Sequence, residues 1–302
     1  MKRLEGVIPA LVTLFRADGR VDGTALAAQI DFQLATGVDA LLVLGGSGEF
    51  ASLTDGERRR VMELAVEHVA GRVPVVVGLL SPGTTHVVAL ARHALKAGAD
   101  AALVLAPFYL APSRAGIREH YARAAEIGLP IVAYDNPART GVTLDVEILG
   151  ELAEIDGVVA LKECDRDLGR VARKIQAFGD RLAILSGEDD LAFATLALGA
   201  CGGIWMAANL FPDLFVALAR AVRSGNLKRA REIQYQLLPF IAATYVPNHP
   251  APLKDAMALA GRPVGPARAP LQPVSASERE AIRRALEQAR SLPRAERRSS
   301  RP

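Results

Sequence analysis

The stretch Gly157-Val158-Val159-Ala160-Leu161-Lys162-Glu163, with the helical pattern Asp165–Phe178 behind it, forms one complete strand-then-helix unit. Its first half is an unbroken apolar run of the length expected for a buried strand. The run closes on a lysine. An amine at the carboxyl end of a core strand is withdrawn from water, which favours the neutral, nucleophilic form. The chain has only six lysines among its 36 basic residues, so a lysine here is not background. The competing use of Lys162 is an ion pair at the strand end with a carboxylate such as Glu163.

Outward from this unit the same rhythm repeats. Apolar, β-rich runs end near Leu14, Leu44, Gly78, Leu105, Tyr134, Lys162, Ser186 and Trp205, at spacings of roughly 25 to 35 residues that suit βα units. Between and after them the periodicity predicts helices over Thr24–Thr36, Thr54–Ala70, Thr84–Ala97, Gly116–Ile127, Asp145–Glu154, Asp165–Phe178, Asp190–Leu198 and Pro212–Arg223. Thr54 with Glu57 reads as a capping box, and Gly37, Gly71, Gly98 and Gly128 stand where helices end. Eight such units are the count of a (β/α)8 TIM barrel. A doubly wound open sheet has fewer strands and a glycine-rich first turn, whereas Val7–Phe15 runs straight to Asp18-Gly19. The fold class is therefore α/β, a barrel over residues 1–224. Helices over Leu227–Thr244, Ala251–Ala260 and Ser275–Leu292 form a C-terminal appendage over 225–292. Residues 293–302 read as a disordered basic tail.

The net charge of +3 is matched by the last twelve residues alone, four arginines and one glutamate. The body is near neutral, and nothing points to nucleic acid. Cys164 and Cys201 cannot build a disulfide scaffold, so a reducing cytoplasm is expected. Val7–Phe15 is too short for a signal peptide. Leu191–Phe211 is uncharged and long enough to span a bilayer, but its glycines fit a buried helix, a turn and a buried strand.

In such barrels the chemistry gathers at the carboxyl ends of the strands. Strand two ends in Gly45-Gly46-Ser47-Gly48-Glu49, whose free backbone amides and serine hydroxyl can form an anion nest. Strand four ends in Pro107-Phe108-Tyr109 and strand five in Tyr134-Asp135-Asn136-Pro137, with Arg139 beyond. Strand six ends in Lys162, and strand seven in Ser186-Gly187-Glu188-Asp189-Asp190. A lysine, two tyrosines, an arginine and a hydroxyl-bearing nest on one rim suit a Schiff base with a 2-oxo acid. Each has a plainer reading as well: the tyrosines as packing residues, Arg139 as a surface arginine, Asp189 and Asp190 as helix caps. The five histidines, His68, His86, His93, His120 and His249, are scattered without ligand spacing, so no metal is expected.

These motifs, in this order, resemble the dihydrodipicolinate synthase and N-acetylneuraminate lyase family of class I aldolases over roughly Leu4 to Pro273. The likeness rests on Gly45–Glu49, Ala106–Tyr109, Tyr134–Gly141, Lys162-Glu163, Ser186-Gly187 and Asn248-x-Pro250-x-Pro252-x-Lys254. The resemblance implies a cofactor-free enzyme in which Lys162 forms the pyruvate Schiff base and Tyr134 carries protons over it. It further implies that Ser47, with Gly46 and Gly48 beside it, binds the 2-oxo acid carboxylate. Arg139 would recognise the second substrate's carboxylate, and Gly187 and Ile204 would line the pocket. Tyr109 would complete a neighbouring subunit's site, which implies a homodimer or homotetramer.

The chain departs from the synthase pattern at Gly46, where synthases carry a threonine that links two tyrosines in a proton relay. Phe108 and Asp135 replace the more usual tyrosine and asparagine. The expected function is a pyruvate-dependent carbon–carbon lyase, a 4-hydroxy-tetrahydrodipicolinate synthase or a close relative, joining pyruvate to an aldehyde. Arg139-Thr140-Gly141 favours that reading. The Gly-Gly-Ser loop favours the alternative, an aldolase or dehydratase of a 2-keto-3-deoxy sugar acid. A catalytically idle 2-oxo acid sensor is the reading from another class, and retention of Lys162 and Tyr134 argues against it.

Overall fold

The computed structural model describes residues 3–291; the expected basic tail at 293–302 lies outside the described residues. Eight parallel strands follow the chain: β1 Gly6–Pro9, β2 Leu41–Val43, β3 Val75–Gly78, β4 Ala101–Leu105, β5 Ile131–Asp135, β6 Val158–Glu163, β7 Ala183–Ser186 and β8 Gly202–Trp205. From β2 to β8 each strand pairs with its sequence neighbours, and β8 pairs with β1. The remaining gap is bridged between Ala10 and Leu42, with Asp39 N donating to Val7 O at 2.9 Å and Leu11 N to Leu42 O at 2.8 Å. The architecture is a (β/α)8 barrel.

Helices α1 Gly23–Leu34, α2 Asp55–Val69, α3 Thr84–Ala97 and α4 Arg114–Ala125 cover one side of it. After a four-residue helix, α5 Pro137–Thr140, come α6 Val146–Ala153, α7 Leu168–Phe178, α8 Ala192–Ala197 and α9 Pro212–Arg223. The Thr54–Glu57 capping box opens α2, and Gly98 ends α3 with a left-handed φ of 87°. Three further helices, α10 Leu227–Thr244, α11 Ala251–Leu259 and α12 Ala276–Arg290, pack on one another, with α10 against α8 and α9. Leu191–Phe211 contains α8 and β8, and no helix among the described residues is long and apolar enough to cross a membrane.

The strand reading needs one correction. The first run ends its ladder at Pro9 rather than near Leu14. Ala10 N still bonds Trp205 O on β8, but beyond it the backbone changes partners: Leu11 N bonds Leu42 O, and Val12 N bonds the Asn209 side chain. Residues 12–15 stay buried but leave the barrel sheet.

Strand side chains alternate between two cores. Leu42, Val76, Leu103, Val132, Ala160 and Leu185 fill the barrel interior, while Val43, Val77, Val104, Ala133, Leu161 and Ile184 face the helices. On β6 the alternation is set by a bulge. Ile131 pairs with Val158 but Val132 pairs with Ala160, leaving Val159 as the extra residue. A single extra residue reverses which side chains face inward beyond it. Lys162 consequently lies opposite Tyr134, inside the barrel, and Glu163 opposite Asp135, under α7.

Candidate active site

A cavity of about 410 Å³ opens at the carboxyl end of the barrel. Lys162 and Tyr134 form its floor, the two residues being 6% and 7% exposed, and the Lys162 amine nitrogen stands 4.4 Å from the centre of the Tyr134 ring. Burial lifts the Tyr134 phenol well above its ordinary pKa, with the neighbouring Cys164 and Glu188 adding to the effect, so it remains a protonated donor. Asn136 Nδ2 donates to Tyr134 Oη at 2.9 Å. That bond occupies a lone pair of the phenol oxygen, and the phenol keeps its own proton.

Glu163 does not pair with Lys162. Lys174, fully buried on α7, donates to Glu163 at 2.7 Å and to Asp135 at 2.6 Å. The two carboxylates that follow Lys162 and Tyr134 in sequence are thus held by one ammonium outside the barrel wall. Burial raises the pKa of both, against the pull of Lys174.

The strand-two loop supplies the next wall. Gly48 N and Glu49 N bond Gly45 O and Gly46 O within the loop, while the amides of Gly46 and Ser47 have no protein partner among the described residues. Gly46 and Ser47 line the cavity; Gly48 does not, and a side chain there would strike the Leu44 backbone at 3.0 Å. Glu49, at a left-handed φ of 54°, is tied down by an ion pair with Lys254 and by Arg268 N at 2.8 Å. The Lys254 of the Asn-x-Pro-x-Pro-x-Lys motif is therefore an anchor for this loop rather than a second reactive amine.

Arg139, Gly187 and Ile204 also line the cavity. A side chain at Gly187 would meet Cys164 Sγ at 2.3 Å and Lys162 Cε at 3.0 Å, so the glycine leaves room for the lysine. Tyr109 is set apart. It is 97% exposed with a left-handed φ of 67°, and Phe108 rather than Tyr109 reaches the cavity.

The structure adds residues that the sequence reading passed over. His249, grouped there with the scattered histidines, sits in the cavity wall 2.9 Å from Ser47 Oγ. Tyr245, Pro247 and Pro250 join it, so the segment between α10 and α11 forms part of the cavity's roof. Its only sequence signal was the proline-rich motif around it. Asp189 is not a helix cap. It accepts from Ala207 N at 2.7 Å and Met206 N at 3.2 Å, bracing the loop after β8, and burial pushes its pKa up to about 7. Asp190 instead pairs with Arg166 at 2.5 Å.

An amine beside a protonated phenol, with free amides on one wall and a guanidinium at the rim, can hold a carboxylate-bearing carbonyl compound over a nucleophile. The comparisons agree with that chemistry. The model of the dihydrodipicolinate synthetase family matches residues 3–289. A 4-hydroxy-tetrahydrodipicolinate synthase from Methanothrix thermoacetophila is 39% identical over 283 residues, 93% of this chain and 95% of the relative. The crystal structure of dihydrodipicolinate synthase from Aquifex aeolicus superposes with a TM-score of 0.91 at 36% identity, covering 94% of this chain and 98% of that one. A chloride-inhibited dihydrodipicolinate synthase from Acinetobacter baumannii, crystallised with pyruvate, gives a TM-score of 0.91 at 30% identity over 94% and 98%.

Proposed function

Because this chain belongs to the dihydrodipicolinate synthetase family and is a lyase of the class I aldolase type, we propose that it condenses pyruvate with an aldehyde as a 4-hydroxy-tetrahydrodipicolinate synthase. The observation that carries the site assignment is the pairing of Lys162 and Tyr134 on the cavity floor, 4.4 Å from amine to ring centre. The Lys162 amine attacks the pyruvate ketone, and Tyr134 delivers the proton with which the hydroxyl leaves as water, giving the iminium. The iminium is the electron sink that lets the methyl carbon lose a proton and become an enamine. That carbon attacks the aldehyde, whose oxygen takes up a proton as the carbon–carbon bond forms; water, or an amine carried by the aldehyde substrate, then adds to the iminium carbon and displaces Lys162 as the free amine.

The carboxylate of pyruvate rests on Ser47 and the free amides of Gly46 and Ser47, while Arg139 at the rim takes the carboxylate of the aldehyde. No step in this sequence calls for a cofactor or a metal. Tyr109, exposed and bent out of the barrel, reaches the site of a neighbouring copy in a homodimer or homotetramer. The two free thiols, one buried, suit a reducing cytoplasm.

A second reading has its own support. Gly46 lines the cavity with nothing within 4 Å of the place a Cβ would occupy, so the loop leaves space for a bulkier, hydroxylated 2-oxo acid of the keto-deoxy sugar type. Borohydride reduction tests what both readings share. With pyruvate present, the reduced adduct is expected on the peptide carrying Lys162; an unmodified mass, or an adduct on Lys254 or Lys174 instead, overturns the assignment.

A further inference from the structure

His249 stands between a carbonyl and a hydroxyl. Its Nδ1 lies 3.2 Å from the carbonyl oxygen of Thr244 and its Nε2 lies 2.9 Å from Ser47 Oγ. A carbonyl can only accept, so Nδ1 carries the hydrogen, and in the neutral ring Nε2 offers only a lone pair. The Ser47 hydroxyl then donates to Nε2 and has no proton left for a ligand. A carboxylate needs donors. Adding one proton to the ring resolves the conflict, because the imidazolium donates from both nitrogens, to Thr244 O and to Ser47 Oγ, and releases the Ser47 hydroxyl to turn toward the cavity.

We propose that His249 is a positioning residue for the 2-oxo acid carboxylate: the bound carboxylate draws one proton from solvent onto His249, and the imidazolium turns Ser47 into a donor. This rests on the reading of Ser47 as a carboxylate ligand and goes beyond it. No bond is made or broken; one proton enters for each carboxylate bound. The surroundings set the direction. Burial holds the free ring neutral, pushed down to about 4, and the Arg139 and Lys162 cations on the elements facing it oppose a further positive charge. The ring of Tyr245 packs 5.3 Å away, and its phenol, raised above its ordinary pKa by desolvation, carries no charge. An incoming carboxylate offsets both cations, raising the His249 pKa in the complex above its value in the empty site. By linkage, pyruvate binds more tightly as the pH falls from the bound value toward the free one.

The test is the pyruvate concentration giving half-maximal borohydride-trapped adduct on Lys162, measured across pH for wild type, His249→Gln and His249→Phe. All other groups of the site are common to the three proteins, so ratios between variants isolate His249. The glutamine amide donates without taking up a proton. The ratio of wild-type to His249→Gln half-saturation should therefore rise with pH, by up to about tenfold per unit within the window. His249→Phe should weaken pyruvate at the acidic end by about tenfold or more while its adduct still forms on Lys162. Parallel wild-type and His249→Gln curves overturn the proposal, and this holds even if the phenylalanine variant does not fold. Unchanged half-saturation in His249→Phe overturns it too. Absence of any Lys162 adduct in the wild type instead rejects the Schiff-base reading of the site, and this inference with it.

Discussion

At Gly46 the chain lacks the hydroxyl that would link two tyrosines, and the group nearest in purpose is the Asn136 amide on Tyr134 Oη. An amide can donate a hydrogen bond but does not titrate, so it orients the phenol without relaying its proton. General acid–base assistance is typically worth about 10²–10⁴ in rate. Condensation of pyruvate with aspartate semialdehyde should accordingly run below the rate of a synthase that carries the threonine, and a hydroxylated 2-oxo acid, whose own hydroxyl can join the relay, should be the faster substrate only under the second reading. Gly46→Thr meets open space, so it should fold normally and either raise synthase turnover or exclude the bulkier substrate. Wild-type synthase turnover on the order of 10 s⁻¹, unchanged in the threonine variant, would show that the relay is not missed.

Among the elements, β5, β6 and α7 are locked together by Lys174. Its ammonium holds Asp135 and Glu163, one residue beyond Tyr134 and Lys162, across the paired strand ends. Removing one partner of a buried ion pair leaves uncompensated charge and costs about 3–5 kcal/mol. Lys174→Met should lose about that much stability in denaturant melts near neutral pH. The pH dependence has a definite sign. Burial raises both carboxyls in the folded state, so the folded form binds their protons more tightly than the unfolded chain does. The variant should regain stability as the pH falls through the folded values toward the unfolded ones near about 4. A melting temperature that instead falls steadily with acidification would contradict the clamp. Lys174 was legible only as one helical lysine among several, because its partners lie on two other elements.

For the molecule as a whole, the appendage is part of the cavity. Tyr245, His249 and Pro250 roof it, Lys254 and Arg268 fasten the strand-two loop, and Arg268 also pairs with Glu57 on α2. The opposite requirement holds at Tyr109, whose 97% exposure places it out of reach of its own site. If it serves a neighbour, two inactive variants should complement. Lys162→Ala mixed with an equal amount of Tyr109→Phe, after exchange of subunits, builds intact sites from a lysine of one copy and a tyrosine of the other. Random two-fold pairing restores about a quarter of wild-type sites. No recovery, or an active monomer by light scattering, would place Tyr109 outside the mechanism.

The amino-acid order alone determined the eightfold strand–helix rhythm, because period and caps are local properties that need no partner to be read. It also placed Lys162, Tyr134, Ser47 and Arg139 on one rim, since strand ends in a barrel share a face. Tertiary structure decided the rest. The run Val158-Val159-Ala160-Leu161 is apolar throughout, so no alternation reveals which side chains face inward; the bulge at Val159, created by pairing with β5, turns Lys162 into the barrel and Glu163 out of it. In the same way His249 meets Ser47 across 202 residues of chain. Such a contact has no local signature: each side chain satisfies its polar groups only with atoms that folding brings to it.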